Sequence, residues 1–296
     1  MKKIIFFLAI WGLCFAEGLE RGERLYKSGL FQSALDVLKD EPGEYPTYIR
    51  AECLFQLKEY ERAHKEFLLA SKMRQPEERQ VLISFRIPEC LWLSGRKEEA
   101  IGEYENAVKK YPNNSQVADV LYRIGLYCTK IAPLKAMDAF TQLLKGYPNC
   151  ENIDNIHYLL GLLFEKGGDK EATAAHFKEV LDGSKRMDLR IPPFLWMIDW
   201  VYNKGEFDQA LILTDRFARD YPEEKDKIKP IFFSSLYKTK RYDEAIALFP
   251  EIEEPSQEQF FAQGEALYET ERYQEAVEAY KNAGTGSSAV DRKSVV

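Results

Sequence analysis

Gly22-Glu23-Arg24-Leu25-Tyr26, Ala51-Glu52-Cys53-Leu54-Phe55, Pro88-Glu89-Cys90-Leu91-Trp92 and Gly264-Glu265-Ala266-Leu267-Tyr268 are four versions of one pentapeptide. Its form is a small residue (once proline), glutamate, any residue, leucine and an aromatic. Eleven residues after each glutamate stands an alanine, and the same position recurs along the chain as Ala34, Ala63, Ala100, Ala136, Thr173, Ala210, Ala245 and Ala276. A large side chain follows four residues later in most copies: Leu38, Phe67, Tyr104, Phe140, Phe177, Phe249 and Tyr280. Four residues are about one helical turn, so small and large share one face. The small residue admits a neighbouring helix closely and the large one fills the space beside it.

Each copy therefore predicts two helices with a turn between them. Glycine marks the turn in Lys27-Ser28-Gly29, Leu93-Ser94-Gly95, Lys166-Gly167-Gly168 and Asn203-Lys204-Gly205, where a helix must stop and reverse. Lys238-Thr239-Lys240 lacks one. Proline stops the second helix in Tyr111-Pro112, Tyr147-Pro148 and Tyr221-Pro222. Thr173 replaces the small anchor of the fifth copy, and Thr214 the large residue of the sixth.

A recurring unit of this length, with small, aromatic and proline positions in this order, resembles the tetratricopeptide repeat. The resemblance covers nearly the whole chain. It implies an all-α fold, a right-handed superhelical solenoid of about eight hairpins over residues 17–284, with protein binding as its work. Within that superfamily the Gly-Glu-x-Leu-Tyr helix and the Tyr-Pro-Asn ending are similar to bacterial envelope proteins of the YbgF (CpoB) and BamD type. The chain departs from both, carrying neither the N-terminal coiled coil of the first nor the lipid-attachment box of the second.

In such a solenoid the first helices line an inner wall, the usual ligand surface. Eleven residues before their anchors stand Glu23, Glu52, Glu89, Asp199 and Glu265; eight before stand Tyr26, Phe55, Trp92, Tyr202, Tyr237 and Tyr268. Residues three apart share a helix face, so these positions predict a wall alternating carboxylates with aromatics. Its expected partner is a protein or peptide segment with basic and apolar side chains. Two other readings stand beside this one: the aromatics as packing between hairpins, and the carboxylates as a solvated face or helix caps.

Composition narrows the remaining classes. The 296 residues are 45% hydrophobic and 30% charged, enough for a folded core and unlike a disordered chain. A formal net charge of -7 speaks against nucleic acid, whose affinity rests on clustered Lys and Arg. His64, His157 and His176 are scattered with no second ligand at metal spacing, so they are read as surface or packing residues. No GxSxG elbow, phosphate loop or dinucleotide fingerprint occurs, which predicts no catalytic residue, no metal site and no cofactor. Cys53 and Cys90 occupy equivalent positions on successive hairpins. Packed helices lie about 8 to 10 Å apart, beyond the Cα separation of a disulfide, so free buried thiols are expected.

Lys2-Lys3, the apolar run Ile4 to Leu13 and Cys14-Phe15-Ala16 read as a secretory signal peptide over residues 1–16, cleaved after Ala16. Leu13 before Cys14 favours a soluble exported, periplasmic protein over a lipid-anchored one, and no second run of membrane length follows. Residues 285–296 lose helical periodicity and are expected to be an unstructured tail. Asp291-Arg292-Lys293-Ser294-Val295-Val296 resembles translated adapter sequence and is set aside as foreign to the protein. The leading expectation is a non-catalytic envelope scaffold in outer-membrane assembly or division-linked wall synthesis. The alternative is the recognition arm of a cell-wall enzyme whose catalytic domain lies beyond the present chain.

Overall fold

A computed structural model describes residues 17–284; the expected leader at 1–16 and tail at 285–296 lie outside the described residues. Among the described residues every regular element is helical, and no strand occurs. No described helix is long and apolar enough to cross a membrane. The chain divides after Tyr147 into two compact units of four hairpins each.

In the first unit the hairpins are α1 (residues 17–27) with α2 (Phe31–Leu38), α3 (Glu44–Gln56) with α4 (Tyr60–Ser71), α5 (Glu77–Leu93) with α6 (Lys97–Lys110), and α7 (Val117–Ile131) with α8 (Pro133–Gly146). In the second they are α9 (Ile153–Gly167) with α10 (Lys170–Gly183), α11 (Met187–Asn203) with α12 (Phe207–Asp220), α13 (Lys229–Lys238) with α14 (Tyr242–Leu248), and α15 (Gln257–Glu269) with α16 (Tyr273–Asn282). The anchors are where the repeat needs them: Ala34, Ala63, Ala100, Ala136, Thr173, Ala210 and Ala245 are fully buried. The large partners Leu38, Phe67, Tyr104, Phe140, Phe177 and Tyr280 are buried with them. The two threonines satisfy their hydroxyls on their own helices, Thr173 Oγ1 donating to the Asp169 carbonyl at 2.8 Å and Thr214 Oγ1 to that of Leu211 at 2.9 Å. A buried hydroxyl so paired avoids the cost of an unmet polar group, which lets threonine stand where the other copies have apolar residues.

The turns close as helix C-caps. Gly29 takes φ 75° while the N–H of Leu30 donates to the Leu25 carbonyl at 2.9 Å, the six-to-one bond of a Schellman motif. Turns without glycine adopt the same geometry at Lys58, Lys240 and Glu271, each at φ 61°. The Lys238-Thr239-Lys240 turn is thus regular, with Lys240 accepting the left-handed strain that glycine would escape. Tyr111, Tyr147 and Tyr221 end α6, α8 and α12 with φ between -131° and -137°, the extended bias of a residue before proline.

Each unit has its own core. Around α3 to α5, Leu54, Ala63, Phe67, Ile83, Ile87 and Cys90 pack together; around α11 to α13, Phe194, Ile198, Phe217, Tyr221 and Ile228 do so. Cys53 and Cys90 are free and buried, as the spacing predicts, and burial pushes each thiol up to about 12, out of reach of thiolate chemistry at neutral pH.

Candidate functional site

The aromatic series eight residues before the anchors does one local task throughout. Each ring leans on the residue five positions later, across the turn of its own hairpin: Tyr26 on Phe31 at 6.0 Å between centroids, Phe55 on Tyr60 at 5.6 Å, Tyr202 on Phe207 at 5.3 Å, Tyr237 on Tyr242 at 6.2 Å and Tyr268 on Tyr273 at 5.4 Å. At Trp92 the partner five later is Lys97, its Nζ 5.4 Å from the ring centre, with Tyr127 edge-on at 5.4 Å. These tilted and edge-to-face pairs clasp the two helices together. All six rings stay half-exposed.

The carboxylate series divides. Glu52 is 3% exposed and accepts from Arg86 Nε at 3.2 Å; Glu89 accepts from the same guanidinium at 2.8 Å, which also lies 4.3 Å above the Phe55 ring. Burial pushes Glu52 above the usual carboxylate range although Arg86 opposes the shift. Glu23 accepts from Tyr45 Oη at 2.9 Å and pairs with Lys27 at 2.7 Å, and those bonds hold it low. Glu265 is 9% exposed and accepts from Tyr280 Oη at 2.6 Å. Glu52 and Glu265 thus point into their hairpins and offer no carboxylate to a partner, because Arg86 and Tyr280 draw them inward. Charge reversal at either would probe folding. Asp199 differs: it is exposed, bonded through Asn203 Nδ2 at 3.5 Å, and no cation pairs with it among the described residues.

Asp199 borders a groove of about 820 Å³ in the second unit, whose walls are the first helices of three successive hairpins. Asp199 and Tyr202 come from α11, Ile231, Ser234 and Tyr237 from α13, Phe261 and Ala262 from α15. Three of the eleven predicted wall residues therefore line it, whereas Glu265 and Tyr268 lie farther along α15 and do not. The residues missed by the register carry a legible signal. Pro230 and Ser234 precede Tyr237 by seven and three positions, and Phe261 precedes Tyr268 by seven, so they continue the same face backward by one and two turns. In the first unit Glu89 borders a hollow of about 140 Å³ with Tyr104 and Arg123.

Two of the three histidines, far apart in the sequence, meet in the fold. His157 of α9 and His176 of α10 meet with their Nδ1 atoms 3.0 Å apart, and Phe164 stacks on His176 at 5.3 Å. The antiparallel hairpin aligns them although they are 19 residues apart. One ring donates its N–H to the lone pair of the other, so the accepting ring is neutral and the two cannot both carry a proton on the facing nitrogens. Burial holds both below the ordinary value of 6.5, and the charge of His157 lowers His176 further; Glu179 opposes both shifts. Because the folded values lie below the unfolded one, the unfolded chain binds more protons in that window. The pair's stabilisation is therefore present above pH 6.5 and is lost as pH falls through it toward the lowered folded values. Amide exchange in α9 and α10 is expected to quicken on acidification below pH 6.5 relative to α13 and α14, and the H157Q/H176Q variant is expected to flatten that difference. An unchanged difference would assign it to other groups. Among the described residues no group of three or more His, Cys, Asp or Glu could hold a metal ion.

No protein-family model and no curated protein matches the chain. Solved structures do. The structure of Naa15/Naa10 bound to HypK-THB matches 93% of this chain at 15% identity with a TM-score of 0.52, and the chain spans 43% of that one. A tetratricopeptide repeat protein from Parabacteroides merdae matches 84% of this chain and 96% of its own at 14% identity and a TM-score of 0.41. The C-terminal part of a TPR repeat-containing protein from Cytophaga hutchinsonii matches 92% and 98% at 17% identity and a TM-score of 0.44. Such identities speak to fold alone: the chain is built from successive antiparallel helical hairpins.

Proposed function

We propose that this chain is a non-catalytic scaffold that holds a segment of another protein in the groove across α11, α13 and α15. The observation that carries this reading is the groove itself, about 820 Å³ and open, with aromatic faces from Tyr202, Tyr237 and Phe261 interleaved with the amides and hydroxyls of Asn203, Ser234 and Gln257. Half-exposed rings on rigid helices supply apolar area at little entropic cost. Side-chain amides and hydroxyls meet the N–H and C=O groups that an extended segment would otherwise leave unpaired. The signal-peptide pattern over residues 1–16 and the resemblance of the Gly-Glu-x-Leu-Tyr and Tyr-Pro-Asn motifs support placing this work in the bacterial cell envelope, in outer-membrane assembly or division-linked wall synthesis.

A photo-crosslinking amino acid at Ser234 of the full chain tests the reading in cells. Discrete protein adducts are expected in the envelope fraction, and A262W, which fills the groove, is expected to reduce them at least tenfold, equivalent to about 1.4 kcal/mol of binding. Adducts that persist undiminished in A262W would place the partner elsewhere.

A further inference from the structure

We infer that the groove of the second unit selects a segment in which a basic side chain stands between two apolar ones. This rests on the groove being the binding surface, and it names what that surface reads. Asp199, Pro230 and Ile231 border not only the groove but also an adjoining hollow of about 410 Å³, completed by Leu195, Trp196 and Ile228. Asp199 therefore stands at the junction of two apolar subsites, Leu195 and Trp196 on one side and Tyr202, Tyr237 and Phe261 on the other.

The charges around it make the junction selective. The other charged side chain of the hollow, Lys227, is held by Glu224 at 2.6 Å. Lys204, one turn beyond Asp199, pairs with Glu206 at 3.1 Å and lies 4.5 Å from the Trp200 ring centre. Glu258 adds a second carboxylate to the groove, and Lys238 is its one cation among the described lining residues. Among the described residues Asp199 is left as a carboxylate without an ion-pair partner, flanked by the aromatic and aliphatic side chains of the two hollows. An ion pair formed there adds to the apolar contacts made on either side. An incoming Arg or Lys would gain that pair, with its aliphatic stem laid along Ile231. An incoming Asp or Glu would meet Asp199 at close quarters, a repulsion that supplies discrimination as well as affinity.

Fluorescence anisotropy of the full chain with three synthetic peptides decides the matter: Leu-Ser-Arg-Ser-Leu, Leu-Ser-Ser-Ser-Leu and Leu-Ser-Glu-Ser-Leu, each with a labelled terminus. The arginine peptide is expected to bind about tenfold more tightly than the serine peptide, and the glutamate peptide most weakly. Asp199 is exposed, so D199N should fold normally; it is expected to shrink the arginine preference to less than about twofold, and D199K to reverse the order of arginine and glutamate. A preference surviving in D199N, or a glutamate peptide that binds best, overturns the inference. Equal binding of all three that is lost in A262W would overturn it too while leaving the groove as the binding surface. Binding unaffected by A262W, or none by any peptide, would count against both.

Discussion

Replacing Arg86 by methionine is expected to lower the unfolding free energy of the residue 17–147 unit by about 3–5 kcal/mol at pH 7, with part of that loss returning at pH 5. Arg86 binds Glu52 at 3.2 Å and Glu89 at 2.8 Å, and its guanidinium covers the Phe55 ring at 4.3 Å. Methionine keeps the aliphatic bulk and removes the charge, so the 3%-exposed Glu52 is left as an uncompensated buried anion. The pH sign follows from Glu52. Burial already raises it above its ordinary 4.5, and Arg86 is the main influence holding it down. A carboxyl whose folded value lies above its unfolded one contributes stability that is present below pH 4.5 and lost as pH rises through the folded value. Without Arg86 the folded value climbs further, so R86M should be most impaired near neutrality and recover as Glu52 takes up a proton. The double variant E52L/R86M should regain most of the loss, since a well-packed apolar pair can replace a buried ion pair. Urea unfolding of the unsubstituted chain, R86M and E52L/R86M at pH 5 and pH 7 checks this. A loss of equal size at both pH values would show that the lost covering of Phe55, not the stranded carboxylate, carries the effect.

The same network shows why the fold was legible in the sequence and the site only partly so. The alanine anchor and the large residue four later act within one helix and its hairpin partner, so their spacing in the chain is also their spacing in space. Ala63 with Phe67 and Ala100 with Tyr104 were readable for that reason, and all four are buried. The glutamates eleven residues before the anchors share a register but not an environment. Glu52 meets an arginine 34 positions away, Glu265 a tyrosine 15 away, and Asp199 no cation among the described residues. Whether a carboxylate faces a partner protein or its own core is settled by these distant neighbours, which no local pattern encodes. The aromatics eight before the anchors were ambiguous for a different reason: one half-exposed ring both clasps its turn and, in Tyr202 and Tyr237, floors the groove. The meeting of His157 with His176 was hidden because it depends on how the α9/α10 hairpin aligns its helices. The division after Tyr147 carries no mark that distinguishes its Tyr-Pro stop from those at Tyr111 and Tyr221.

Truncating Phe177 to alanine is expected to cost the residue 148–284 unit about 3–5 kcal/mol, and the reason reaches back to a glycine sixteen residues earlier. Phe177 is 2% exposed and meets Trp196 edge-on at 5.4 Å. Its ring lies directly over Gly161, where a Cβ would overlap it; Phe140 covers Gly125 and Tyr280 covers Gly264 in the same way. Glycine within a helix costs roughly 0.5–1 kcal/mol relative to alanine, so its recurrence there needs a compensating gain, and the close approach of the ring supplies it. G161L should therefore destabilise by about 1–3 kcal/mol through overpacking, even though leucine is the better helix former. The two changes should not add. In G161L/F177A the new side chain occupies volume the ring has vacated, and the double variant is expected to lose less than the sum of the singles by about 1–2 kcal/mol. Chemical unfolding followed by tryptophan fluorescence measures the cycle, since Trp196 reports on the contact itself. Additive losses would mean that ring and glycine do not share one space, and the recurring glycine would then need another cause. A large coupling would identify Gly161 and the aromatic sixteen residues later as one packing unit, a spacing and contact that Gly264 and Tyr280 repeat.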